Sequence, residues 1–173
     1  MVDGSKATHV AASSPEVLGA CVVYLGCLNY FFPVDEKCPI VSRIGAVIGQ
    51  LHVTIQPFIA PARANGTRDT NVFEPYEPPD EDEPEDQVYD FMDRTIEYRI
   101  TLHNITDLST RRLGRLSLQY SFYRDPSRQT GPMTITGTML EVNYASRHIV
   151  DVTEPLVKFL TGNNLMIEIF GWI

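Results

Sequence analysis

The sequence predicts an all-β protein, an antiparallel β-sandwich with one short helix near the C-terminus and a long acidic loop. Several segments alternate apolar and polar residues with a period of two, which is typical of half-buried strands in an antiparallel sheet. The length of 173 residues suits one domain with its own core, and the composition, 43% apolar and 21% charged, is that of an ordinary globular protein. The sequence contains no heptad repeat, so a coiled coil is not expected.

The first structured segment lies in an uncharged run of sixteen residues, Val17 to Phe32. A membrane-spanning helix needs about 20 apolar residues, so this run is short for an anchor, and Pro15 and Pro33 bracket it. Its valines and aromatic residues favour a β-strand instead. We therefore expect a strand from Ala20 to Leu25 that is buried on both faces and is followed by a turn at Asn29.

The next segment is expected to form a loop from Pro33 to Lys37 and then a hairpin. Apolar and polar residues alternate from Val47 to Gln56, which predicts a strand with one buried face. Gly45 precedes this strand at a position that suits a positive φ in the connecting turn.

The domain organisation follows from a change of composition. We expect a flexible N-terminus over residues 1–16 and a single domain over 17–173, interrupted by a disordered, acidic, proline-rich loop at 57–93. Nine of the 22 acidic residues lie between Glu74 and Asp90, which contains no Lys or Arg, so the net charge of −8 comes mainly from this segment. The loop is a docking segment, a screen for a basic surface, or a solvated insertion between two strands.

The second half of the chain contains further alternating segments. Apolar side chains recur at every second position in three stretches, each of which predicts a strand. These stretches are Arg94 to Leu102, Arg115 to Tyr123 and Leu165 to Phe170. Shorter strand-like stretches lie at Met133 to Ile135 and at Met139 to Tyr144.

A short helix is expected between the last two strands. Thr153 is placed to cap it, and Pro155 suits its first turn. Gly162 and Asn163 should end it. Its apolar face consists of Leu156, Phe159 and Leu160.

We predict no catalytic, cofactor or metal site. The histidines are scattered and no serine or cysteine motif marks a nucleophile, so exposed or hydrogen-bonded structural histidines are expected rather than a catalytic triad. No phosphate-binding G-x-x-x-x-G-K-[ST] loop occurs. The aspartates outside the acidic loop stand alone, which argues against calcium. The residues in question are His9, His52, His103, His148, Asp107, Asp125 and Asp151.

The spacing of the cysteines indicates the expected cellular compartment, and the net negative charge indicates which partners are expected. Cys21, Cys27 and Cys38 have no C-x-x-C spacing and suit reduced thiols in the cytosol. An acidic chain is a poor match for nucleic acid, whose phosphates it would repel.

A candidate interaction patch is a group of arginines in the second half of the chain. Residues 94–128 contain seven arginines against three acidic residues. Guanidinium groups suit phosphate or carboxylate, so anionic lipid head groups, an acidic partner or the acidic loop itself are candidate ligands, and a solvated sheet face is the alternative. The patch consists of Arg111, Arg112, Arg115, Arg124 and Arg128.

Two blocks of the chain resemble the non-motor region of kinesin-3 microtubule motors, downstream of their forkhead-associated domain. The first block is LGACVVYLGCLNYFFPVDEKCPIVSRIGAVIGQLHVTIQP, with its VYL, LNY, PIVS and G-x-L-x-V elements. The second is RTIEYRITLHNITDLSTRRLGRLSLQYSFYR, followed by VTEPLVKFLTGNNLMIEIFG with its terminal I-E-I-F-G strand. The order and spacing of these elements resemble a C2-like segment of that family.

The resemblance implies a non-catalytic C2-like module in the tail of a motor that carries vesicles along microtubules. It implies scaffold or adaptor proteins of vesicle cargo as partners, and a cytoplasmic, cytoskeleton-associated location. Microtubules would be reached only through a motor domain that these residues do not contain, so this segment would have no ATPase activity. The runner-up function is a calcium-independent C2-like domain that binds anionic membrane lipids.

Overall fold

The computed structural model describes residues 14–60, 72–77, 86–109 and 114–172. In these residues ten strands, one α-helix (α1, Glu154–Gly162) and two short 3-10 helices (Gly26–Tyr30 and Val88–Phe91) are present. The all-β prediction is therefore confirmed. The strands are β1 Glu16–Tyr24, β2 Val34–Ser42, β3 Val47–Ile59, β4 Glu74–Pro75, β5 Thr95–Thr106, β6 Arg115–Tyr120, β7 Arg128–Gln129, β8 Met133–Thr134, β9 Leu140–Asp151 and β10 Asn164–Trp172.

The strands form one antiparallel sheet that curls into a nearly closed sandwich. Their order is β7-β6-β10-β1-β2-β3-β5-β9, with β4 beside β3 and β8 beside β6. The first strand lies next to the last, and their ladder runs from Glu16 opposite Gly171 to Tyr24 opposite Asn164. The contact of β1 with β2 is much shorter, because only Gly19 and Ala20 pair across it.

The core confirms the period-two pattern from which the strands were predicted. In β5, four alternating side chains are fully buried, and three alternating side chains of β10 are buried in the same way. Alternation arises because successive side chains of a strand point to opposite faces of the sheet. The buried residues are Ile96, Tyr98, Ile100, Leu102, Leu165, Ile167 and Ile169.

The uncharged run at the N-terminus is a strand followed by a 3-10 helix. In the described part of the chain, no helix is long and apolar enough to cross a membrane. The prediction that this strand is buried on both faces is wrong, however. Cys21 and Val23 point into the core, whereas Val22 and Tyr24 are exposed because nothing described packs over the outer side of β1.

The predicted loop from Pro33 to Lys37 is also wrong, because β2 already begins at Val34. Its three charged residues, Asp35 to Lys37, are exposed while Val34 and Cys38 are buried, so no alternation marks the strand in the sequence. The backbone ladder with β3 sets the strand instead. The hairpin turn agrees with expectation, with Gly45 at φ +81°.

The segment at 57–93 contains more structure than its composition suggested. The ladder of β3 continues through Pro57 to Ile59. Tyr76 stacks on Phe31 with 4.3 Å between ring centroids, and Phe91 meets Phe31 edge-on at 5.1 Å. Through these contacts, aromatic side chains near both ends of the acidic segment pack against Phe31. Residues 61–71 and 78–85 of the segment lie outside the described residues.

The helix forms as predicted. The Thr153 hydroxyl accepts a hydrogen bond from the Leu156 backbone N–H at 3.4 Å, and α1 ends at Gly162. Leu156 and Leu160 are fully buried in the core, so the helix packs through its apolar face.

Candidate interaction surface

The three described members of the arginine patch do not lie together. Arg115 opens β6, whereas Arg128 pairs with Tyr120 at the other end of that strand, about 17 Å away at the usual rise per residue. Arg124 lies in the turn between β6 and β7. Arg111 and Arg112 lie outside the described residues.

Two of these arginines stack on aromatic rings. The guanidinium carbon of Arg115 lies 5.4 Å from the centroid of the Trp172 ring, and that of Arg124 lies 5.1 Å from the Tyr123 ring. Neither forms an ion pair with a carboxylate within the described ranges. A stacked guanidinium keeps its N–H groups available to a partner's carboxylate or phosphate.

The most distinctive surface is the outer side of β1 and β10, continued by Arg115 of β6. Three of its side chains are unusually exposed for apolar residues: Val22 at 46%, Tyr24 at 71% and Met166 at 54%. Others on the same side are half-buried. We call this surface the apolar outer face; it consists of Val22, Tyr24, Met166, Phe170, Trp172 and Arg115.

The sheet register places these residues in two groups on one side of the sheet, with Glu168 between them. Val22 lies directly opposite Met166 across the β1–β10 ladder, and Trp172 lies opposite Arg115 across the β10–β6 ladder. Directly opposed side chains on one face of an antiparallel pair are in contact range. Exposed apolar side chains grouped on one side of a sheet are typical of a protein interaction site.

A shallow cavity of about 220 Å³ adjoins the Met166 end of this face. It contains one carboxylate and several neutral hydrogen-bonding groups, which suits the polar rim of an interface. Its lining is Gln119, Tyr120, Ser121, Ser127, Asn164, Met166 and Glu168.

The outer side of β5 carries an ion network that no sequence motif indicated. Glu97 is fully buried, and Arg147 donates two hydrogen bonds to it from one edge of its guanidinium, with Nε–Oε1 at 2.9 Å and Nη2–Oε2 at 2.6 Å. Arg99 also donates to Glu97 and lies 3.7 Å above the Phe58 ring. The hydrogen bond from Arg147 lowers the pKa of Glu97, so the charges of this network are satisfied internally.

The three histidines within the described residues are hydrogen-bonded, and His9 lies outside these residues. His52 and His103 stack with 4.5 Å between ring centroids; His52 Nε2 lies 2.7 Å from Asp35 and His103 Nε2 lies 2.8 Å from Thr54. His148 is fully buried, with both ring nitrogens hydrogen-bonded.

The cysteines are free thiols with little reactivity. Cys21 and Cys38 are buried and Cys27 is half-buried. Burial raises the pKa of Cys21 to about 12 and that of Cys38 to about 11, so both remain protonated at neutral pH.

Comparison with protein-family models finds no match, and comparison with curated proteins finds none either. The function must therefore be argued from the resemblance of the sequence blocks and from the apolar outer face.

Proposed function

We propose that this chain is a non-catalytic interaction module of a kinesin-3-like motor tail, and that it binds adaptor or scaffold proteins of vesicle cargo through the apolar outer face. The observation that carries the proposal is the exposure of Val22, Tyr24 and Met166 in one row on a rigid sheet. In this role the module acts in the cytoplasm on the cytoskeleton and contributes no ATPase activity of its own.

The composition of the face supports a protein partner. Tryptophan, tyrosine and arginine are the residues that most often dominate binding energy at protein interfaces. Here Trp172 and Arg115 stack at one end and Tyr24 lies toward the other, and Glu168 interrupts the apolar side chains between them. A partner segment that covers the apolar row and presents a carboxylate to Arg115 would match both features.

The test is recruitment of vesicles by a dimeric motor head fused to this chain. The fusion should carry vesicles along microtubules, and Met166→Lys should abolish this because a buried ammonium would be unpaired at the interface. Ile149→Lys is the matched control, since Ile149 is 47% exposed on β9, outside the apolar outer face. Thermal unfolding of both variants should match that of the unmodified chain.

Two outcomes would contradict the proposal. The first is equal transport by the Met166→Lys and Ile149→Lys fusions. The second is a failure of the unmodified fusion to recruit any vesicle although it moves along microtubules.

A second candidate function is calcium-independent binding of anionic lipid by a C2-like domain. Its support is the exposure of Arg115 and Arg124 without carboxylate partners among the described residues. Flotation with vesicles that contain phosphatidylserine tests it. Binding that is lost at high salt and in Arg124→Gln would favour the lipid function, since Arg124 lies outside the apolar outer face.

A further inference from the structure

The two ends of the curled sheet meet at a seam where no backbone ladder joins β6 to β9 in the described part of the chain. Side chains bridge this seam instead. Tyr120 of β6 is hydrogen-bonded to Ser146 of β9, and Asp125, in the turn after β6, is hydrogen-bonded to His148 of β9. We call these four residues the seam network.

The seam network is continuous and buried. His148 Nδ1 lies 2.6 Å from Asp125 Oδ2, and His148 Nε2 lies 2.8 Å from Ser146 Oγ. His148 is fully buried, Tyr120 and Ser146 are almost so, and only the Asp125 side chain reaches solvent, at 26% exposure. The ring of Phe122 packs against His148 with 5.1 Å between centroids.

The chemistry of the four groups assigns each proton. A carboxylate only accepts, so His148 Nδ1–H donates to Asp125. The neutral ring then accepts at Nε2 from the Ser146 hydroxyl, which in turn accepts from the Tyr120 hydroxyl. Every donor in the chain of hydrogen bonds therefore has one acceptor, provided that His148 is neutral.

Protonation of His148 disrupts this order. Nε2 then carries a hydrogen and no longer accepts, so Ser146 must turn its hydroxyl hydrogen toward Tyr120. The Tyr120 hydroxyl hydrogen is left without an acceptor in the seam network. A buried donor without a partner destabilises the closed seam, and the new positive charge is itself buried.

The surroundings favour the neutral ring. Burial lowers the pKa of His148 below its ordinary value, Arg128 lowers it further, and the hydrogen bond to Asp125 opposes both. Tyr98 of β5 lies opposite His148 in the ladder, and α1 reaches this region through the apolar contact of Phe159 with Phe122.

We propose that the seam network is a proton-sensitive latch, which keeps the β6–β9 seam closed while His148 is neutral and releases it when His148 gains a proton. Because the folded pKa lies below the unfolded value of about 6.5, the stabilisation is complete above that pH. It is lost as the pH falls below 6.5 and through the folded pKa. Mild acid should therefore loosen the seam before it unfolds the protein.

The test compares thermal unfolding and backbone hydrogen exchange between about pH 7.5 and pH 5. The unmodified chain should lose several degrees in Tm over this range, and exchange should accelerate first at β9 residues beside the seam. In His148→Gln, which hydrogen-bonds but does not titrate, both effects should disappear. His52→Gln is the matched control and should retain them.

If His148→Gln does not fold, a direct titration of His148 tests the same prediction. The imidazole of His148 can be followed by NMR in the unmodified chain. A pKa below 6.5 that coincides with faster exchange in β9 supports the latch. A pKa at or above 6.5, or a pH dependence that survives in folded His148→Gln, overturns it.

Discussion

Two buried tyrosines differ in whether their hydroxyl groups are hydrogen-bonded within the described residues. Tyr98 is fully buried, and its hydroxyl has no hydrogen-bond partner among the described residues. Burial raises the pKa of Tyr98 far above its ordinary value, so the hydroxyl stays protonated. Tyr120 is almost as deeply buried, but its hydroxyl is bonded to Ser146. We predict that removal of the two hydroxyl groups has opposite effects on stability.

The magnitudes follow from hydrogen bonding. A buried hydroxyl without a partner costs about 1–3 kcal/mol, so Tyr98→Phe should raise the free energy of unfolding by about 1 kcal/mol after the loss of a few packing contacts. This corresponds to a gain in Tm of about 2–4 °C for a domain of this size. Tyr120→Phe removes the donor to Ser146 and should lower the free energy of unfolding by about 1–2 kcal/mol.

Urea denaturation near pH 7.5 measures both changes. The midpoint should rise in Tyr98→Phe and fall in Tyr120→Phe, with the slope unchanged in each. A lower midpoint in Tyr98→Phe would refute the reasoning, because it would mean that the Tyr98 hydroxyl makes a favourable hydrogen bond.

Three further predictions concern charge, backbone contact and thiol reactivity. The hydrogen bond from Arg147 lowers the pKa of Glu97, so the stabilisation from this carboxylate is present above about pH 4.5 and lost in stronger acid. Glu97→Gln should therefore flatten the decline of Tm with acidification, and an unchanged decline would contradict this. Gly19→Ala places a Cβ 2.5 Å from the Val41 carbonyl oxygen and should lower the free energy of unfolding by about 1–3 kcal/mol, seen as a lower urea midpoint; an unchanged midpoint would contradict this. In the folded protein, half-buried Cys27 should react with a thiol reagent before buried Cys21, as mass spectrometry can show; the reverse order would contradict it.

The strand β5 was predicted correctly because apolar and mostly polar side chains alternate along it. From Ile96 to Leu102 the core imposes this alternation directly on the sequence. The N-terminus of β2 was missed because three charged residues follow one another, and only the ladder with β3 shows that they belong to a strand. In β1 both sides are apolar. This sequence pattern does not distinguish a strand that is covered on both faces from one that exposes an apolar face.

The candidate surface and the seam network depend on contacts between distant residues. Arg115 and Arg128 are close in sequence but lie at opposite ends of β6. Asp125 and His148 are 23 residues apart, and only the curling of the sheet brings them together. The spacing of Ser146 and His148 on one side of a strand could have indicated a shared environment, although it does not reveal the partner across the seam.

The position of β1 between β2 and β10 has a consequence for the order of folding. The long ladder of β1 is with the last strand, whereas its ladder with β2 contains only two residue pairs. During synthesis β1 emerges before β10, so most of its backbone groups stay unpaired until β10 has also left the ribosome. Until then the β2–β3 hairpin can form locally, while the apolar residues of β1 remain exposed to chaperones or to another nascent chain.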